Sequence, residues 1–208
     1  MARKIDFVRL RSRSTTDLDR SLKRFASLPS KLKHEEYLIL RWAAAMSAVE
    51  IHGIWERYVE ERLTSLINHN PSQFASLADI RGLKSVSSGL AKYIIRGGGR
   101  YFDFKSTSDL LGKGDGWLGR AHNPFRSLSQ SDREYIDLLS AIRNCVVHGS
   151  DAAQFAYRRH LKTVYGIRSA PEPDEFLNAV DHRNISPAPK EKRIRGIATI
   201  IRNSINST

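Results

Sequence analysis

The sequence predicts an all-α protein, an antiparallel helical bundle with an irregular Gly-rich insertion between core helices. Three observations support that prediction. Apolar residues recur at three- and four-residue intervals along most of the chain. Helix-start and helix-stop residues punctuate those stretches. The connections are short, as they are between antiparallel neighbours in a bundle.

The elements follow in order. Residues 15–28, TTDLDRSLKRFASL, place Leu18, Leu22, Phe25 and Leu28 on one face, and Pro29 ends the helix. The longest segment, 35–69, carries a broad stripe from Leu40 and Trp42 through Trp55 and Tyr58 to Leu66, with Gly53 as a place for a bend. Asn70-Pro71 stops it and caps a short helix. KSVSSGLAKYIIR, 84–96, is a further helix ended by three glycines. Residues 97–124 hold seven glycines, Pro124 and a strand-like YFDF, and are expected to be irregular. Neither GGGRYF nor GKGDG has the residues or the following helix of a phosphate loop, so structural turns are expected there. A capping box at Ser131–Glu134 starts a helix near 132 that ends at His148-Gly149. DAAQFAYRRHLKTVYG follows, then a short piece around EFLNAV, the Pro-flanked linker ISPAP, and the basic helix KEKRIRGIATIIRNSI.

Composition narrows the function classes. A chain that is 40% hydrophobic and 27% charged folds around a core, and 208 residues suffice for one core with an appendage. No apolar run reaches membrane-spanning length, and MARKIDFVRLRSRS lacks a signal-peptide core, so a cytoplasmic protein with no membrane partner is expected. The one cysteine, Cys145, excludes an internal disulfide and argues against a cysteine-based zinc site. No metal or cofactor is expected.

The net charge of +12 is unevenly placed. Residues 1–33 hold ten basic and three acidic residues, 182–208 hold six and one, and 34–181 hold 18 of each. This divides the chain into a basic N-terminal arm with a short helix (1–33), a neutral helical core (34–181), and a linker with a basic C-terminal helix (182–208). Basic ends around a neutral core suit a polyanion, most commonly nucleic acid, with a membrane surface as the other possibility.

The chemistry concentrates in AIRNCVVHGS, 141–150. Arg143 and His148 are five residues apart, about 140° around an ideal helix, so one regular helix is not expected to press them together. Asn144 and His148 share a face, where the amide can hydrogen-bond the imidazole. His148 lies in the last turn, where the helix end favours a cation. A proton-exchanging imidazole beside a flat guanidinium fork suits phosphodiester cleavage. The spacing also suggests a two-fold dimer in which Arg143 and His148 of both copies line one cleft. Three plainer readings compete. His148 can be a simple cap, with Arg143 paired to Asp137 or Asp151. Arg62 and His69 match the loose pattern as well. Cys145, three before His148, offers a thiolate, although it falls on the apolar stripe.

SDREYIDLLSAIRNCVVHG resembles the signature of the HEPN superfamily, an arginine followed directly by a polar residue and, after four to six intervening positions, a histidine near a helix end. AVEIHGIWERYVEERL is similar to the first core helix of these bundles, particularly the RiboL-PSP-HEPN type, and the resemblance covers 35 to about 165. It implies a metal-independent endoribonuclease, active as a homodimer, leaving a 2′,3′-cyclic phosphate and a 5′-hydroxyl. His148 would be the general acid/base, Arg143 the phosphate stabiliser and Asn144 the orienting residue. Glu50 and Glu56 are the candidates for a further acid. Many such proteins are toxins or phage-defence effectors restrained by an antitoxin or other regulatory protein. Others have lost activity and only bind RNA, nucleotides or a partner protein, which is the alternative here. A helical DNA-binding regulator is a third, weaker reading, since 151–165 is one helix rather than two around a turn.

Overall fold

The structure, a computed structural model, describes residues 6–27, 37–81, 83–100, 102–181 and 192–208. Among them it shows nine α-helices and no strand, an all-α bundle; the expected stop at Pro29 and the ISPAP linker lie outside the described residues.

The organising element is α2 (Tyr37–His69). Its middle is apolar on several sides: Ala48, Ile51, Ile54, Trp55, Tyr58, Val59, Leu63 and Ile67 are all buried. A helix of that kind must be covered by several neighbours. Packed on it are α1 (Phe7–Ser27), α4 (Ser88–Ile95), α6 (Gln130–His148), α8 (Pro173–Asn178) and α9 (Arg193–Ser207). Each fully buried aliphatic side chain, such as Leu63 or Ile67, contributes roughly 1.5–3 kcal/mol of transfer free energy. The helix runs through Gly53 without interruption.

The described parts of both basic ends are built into this core. Helix α1 starts well before residue 15, because Leu10 and Ser14 extend backwards the buried series of Leu18, Ser21 and Phe25. Asp6 caps it, its carboxylate accepting from the Val8 amide at 2.9 Å. The arginines between those positions face acidic residues of α2, Arg13 pairing with Glu61 and Arg24 with Glu50. Helix α9 buries Ile194, Ile197, Ile201 and Ile205, and the Tyr58 hydroxyl donates to the Ile205 carbonyl at 3.0 Å. The two basic helices also pack against each other, with Arg202 paired to Asp19.

The glycine-rich stretch departs from expectation. After α3 (Pro71–Leu77) and α4, the chain forms α5 (Thr107–Leu118), so GKGDG is helical. The Ser106 hydroxyl caps it by accepting from the Asp109 amide, and Leu110, Leu111 and Leu118 provide a buried face strong enough to overcome three glycines. Gly114 is required there: a Cβ would sit 2.6 Å from Asn123 Nδ2. Phe102 to Phe104 form no strand; both phenylalanines are buried, and the segment lies across α2 and α6 as irregular chain. Two 3₁₀ turns then lead to α6. Its capping box is Ser129 with Asp132, two residues earlier than expected, because this pair satisfies both backbone amides reciprocally. Gly149 (φ +60°) ends α6, and Ser150 caps α7 (Asp151–Tyr165), which packs back along α6.

Candidate active site

The last two turns of α6 divide by face. Ile142 and Cys145 go into the core, while Asn144, Val147 and His148 stay exposed and Arg143 is half-buried. Because Gly149 takes the left-handed conformation and donates to the Cys145 carbonyl at 3.0 Å, the chain turns sharply at His148. The imidazole therefore stands at the corner between α6 and α7.

Arg143 and His148 meet within one chain. Nη1 of Arg143 lies 3.2 Å from Nε2 of His148 and 2.9 Å from Oδ1 of Asn144. This corrects the expectation that one helix keeps them apart: 140° describes the Cα positions, and the long arginine side chain spans the gap. It also reassigns Asn144, whose carbonyl accepts from the guanidinium rather than its amide engaging the imidazole. A guanidinium only donates, so Nε2 is the acceptor in that hydrogen bond.

Around this triplet lies a cavity of about 500 Å³, walled by His52 and Glu56 of α2, Asp103 to Lys105, Ser140 of α6, the cap residue Ser150, and Ala152, Ala153 and Ala156 of α7. His52 is 5% exposed, its Nε2 3.0 Å from Ser140 Oγ. Ser140 donates its own proton to the Ile136 carbonyl, so His52 Nε2 is the donor in that bond. His52 Nδ1 is buried without a hydrogen-bond partner and lies 3.4 Å from Glu56 Oε2, an electrostatic contact rather than a directed bond. Burial pushes the Glu56 carboxyl up, but His52 and the Arg143 charge outweigh it and hold the group below the usual carboxylate range. Glu56 is thus an anion facing Arg143. An adjoining cavity of about 540 Å³ shares Glu56, Asp103 and Arg143 with the first.

No family model, curated protein or solved structure matches the chain.

The competing assignments separate by burial. Arg62 is 9% exposed, stacked 4.0 Å from the Phe7 ring, and donates to the Thr208 carbonyl at 2.9 Å. His69 is held by Ser65 on its own helix and by the Phe7 ring. That pair is structural. Asp137 accepts from the amide and hydroxyl of Thr107, and among the described residues Arg143 forms no ion pair with it or with Asp151. Cys145 is 5% exposed, and burial pushes its thiol up to about 11, which removes the thiolate reading. Glu50 is engaged by Ser21 and Arg24 of α1, leaving Glu56 as the acid at the site. No group of three metal-ligating side chains occurs among the described residues, and no helix there is long and apolar enough to cross a membrane.

His52 and Ser140 escaped sequence reasoning. His52 stands four residues before Glu56, a helical spacing that was readable, but Ser140 is tied to it only by the packing of α6 on α2. Arg57, Arg96 and the 102–105 segment were missed because nothing in a linear pattern assigns them to one cavity wall.

Proposed function

We propose that the chain is a metal-independent, cytoplasmic endoribonuclease of the HEPN type. The supporting observation is the contact between Arg143 and His148 at the mouth of an open cavity, with Asn144 holding the guanidinium. An RNA phosphate competes for that guanidinium. As Arg143 turns to the phosphate oxygens, the Nε2 lone pair of His148 is released to take the proton of the ribose 2′-hydroxyl. The 2′-oxygen then bonds to phosphorus, the P–O5′ bond breaks, and the imidazolium returns the proton to the departing 5′-oxygen. The products are a 2′,3′-cyclic phosphate and a 5′-hydroxyl.

A homodimer fits this reading. Val147 and Phe155 are exposed large apolar side chains on the two helices that form the corner, and a second copy seated there would bring its own Arg143 and His148 near the first pair. A toxin or phage-defence role, with an antitoxin as the restraining partner, belongs to the same proposal. The direct Arg143–His148 bond also favours one alternative, a non-catalytic module that binds RNA, nucleotide or a partner protein, because the contact occupies the lone pair that a base needs.

The test is cleavage of mixed RNA, with the product ends analysed. His148→Ala is expected to reduce cleavage by about 10²-fold or more while leaving binding and fold intact, and a chelator is expected to change nothing. Undiminished cleavage by His148→Ala, or loss of activity in EDTA, would end the assignment. Saturable RNA binding without any product supports the non-catalytic module.

A further inference from the structure

Gly53 sits in the middle of α2 without a structural reason. Glycine inside a helix is less favourable than alanine, so its presence asks for a compensating use. The fold supplies none. Its φ is not positive, and a Cβ built on it meets no atom within 4 Å. The space above it is the second cavity, lined by Gly53, Arg57, Glu60, Arg96 and Phe102, which joins the first through Glu56, Asp103 and Arg143.

Arg57, one turn after Gly53, is the second observation. Arg96, on the same cavity wall, is paired with Glu60. Arg57 is exposed, lines the cavity and has no carboxylate partner among the described residues. The cavity thus pairs an uncommitted guanidinium with a floor of bare helix backbone, and it opens directly onto Arg143.

We propose that this second cavity is the subsite for the nucleotide adjoining the scissile phosphate, with that nucleotide's phosphate on Arg57 and its sugar and base lying over Gly53. The proposal rests on the ribonuclease reading, since a strand whose scissile phosphate is held by Arg143 continues into the space beside it. Arg57 offers a bidentate fork to phosphate oxygens. Gly53 lets the strand approach α2 more closely than any side chain would allow.

The cavity is open above Gly53, so it can be filled without disturbing the fold. Gly53→Leu is expected to keep the helical content of the parent, to melt no lower than it, and to raise KM for single-stranded RNA about tenfold, with kcat changed by less than about threefold. Gly53→Ala is expected to raise the melting temperature and to move KM only slightly. Arg57→Gln is expected to raise KM and to reduce the slope of log affinity against log salt by about 0.7, the share of one single-strand phosphate contact. Binding of an oligonucleotide with 2′-deoxyribose at the cleavage position gives the same comparison without turnover.

Parent-like KM and salt slope in Gly53→Leu and Arg57→Gln, with the parent still cleaving, would overturn the subsite and leave the ribonuclease reading standing. A parent that neither cuts nor binds RNA would overturn both. If Gly53→Leu instead changes the oligomeric state, a second copy of the chain fills the gap, and the nucleotide assignment is wrong.

Discussion

At the scale of single residues, Glu56 links the buried and exposed halves of the site. It lies between His52 and Arg143, and its carboxyl ionises below the usual range. A group whose folded pKa is depressed stabilises the fold above its unfolded pKa and loses that contribution as pH falls through the folded value. Glu56→Gln is therefore expected to destabilise more near pH 7 than in acid, the difference shrinking as pH falls through the folded value, which denaturant melts across that range would show. Cys145 behaves oppositely, its buried thiol being protonated at neutral pH. Cys145→Ala should leave RNA cleavage within about twofold of the parent, and iodoacetamide should modify the folded parent far more slowly than the unfolded chain. The identities of Arg143, Asn144 and His148 as polar residues at a helix end were legible in the sequence, and so was the apolar setting of Cys145. The Arg143–His148 contact was not, because helical angles describe the backbone and ignore the reach of a side chain.

At the scale of elements, legibility followed the strength of the periodic signal. Helices α2, α6 and α7 have long apolar faces and marked ends, and they emerged close to their observed limits. Helix α5 was hidden by its glycines, whose local preference for turns was overridden by the Ser106 cap and three buried leucines. The beginning of α1 was hidden by charge, since its arginines look like a solvated arm until the acidic flank of α2 is placed beside them. Gly114 of α5 contrasts with Gly53 of α2. Asn123 fills the space beside Gly114, donating to the Leu111 carbonyl and the Asp115 carboxylate while accepting from the Phe125 amide. Gly114→Ala must displace that side chain and is expected to cost about 1–3 kcal/mol of stability, measured by chemical denaturation. Recovery of parental stability on combining it with Asn123→Ala is not expected, because the three hydrogen bonds are lost in either case.

At the scale of the molecule, the first and last helices share one core with the helices between them. The basic excess lies in the two terminal stretches, and α1 and α9 within them pack on α2 and on each other. Their apolar faces complete the core, while Arg13 and Arg24 pair with acidic residues of α2 and Arg193 lies over the Tyr165 and Phe176 rings. Removal of residues 193–208 would uncover Tyr58 and the Arg62 guanidinium along with the faces of α2 and α6 that α9 packs on. A chain ending at 192 is expected to lose cooperative unfolding and all RNA cleavage, although Arg143 and His148 remain in it; a sharp thermal transition in that truncation would contradict this account.

The position of α9 in chain order has a bearing on synthesis. A ribosome that has delivered everything through α8 has already made Arg143, Asn144 and His148, but the five isoleucines that α9 buries are still in or near the exit tunnel. Tyr58 and Arg62 then lack their acceptors at Ile205 and Thr208, and the long helix that carries Glu56 is uncovered along one side. The core of the nascent polypeptide thus closes only once α9 has cleared the ribosome.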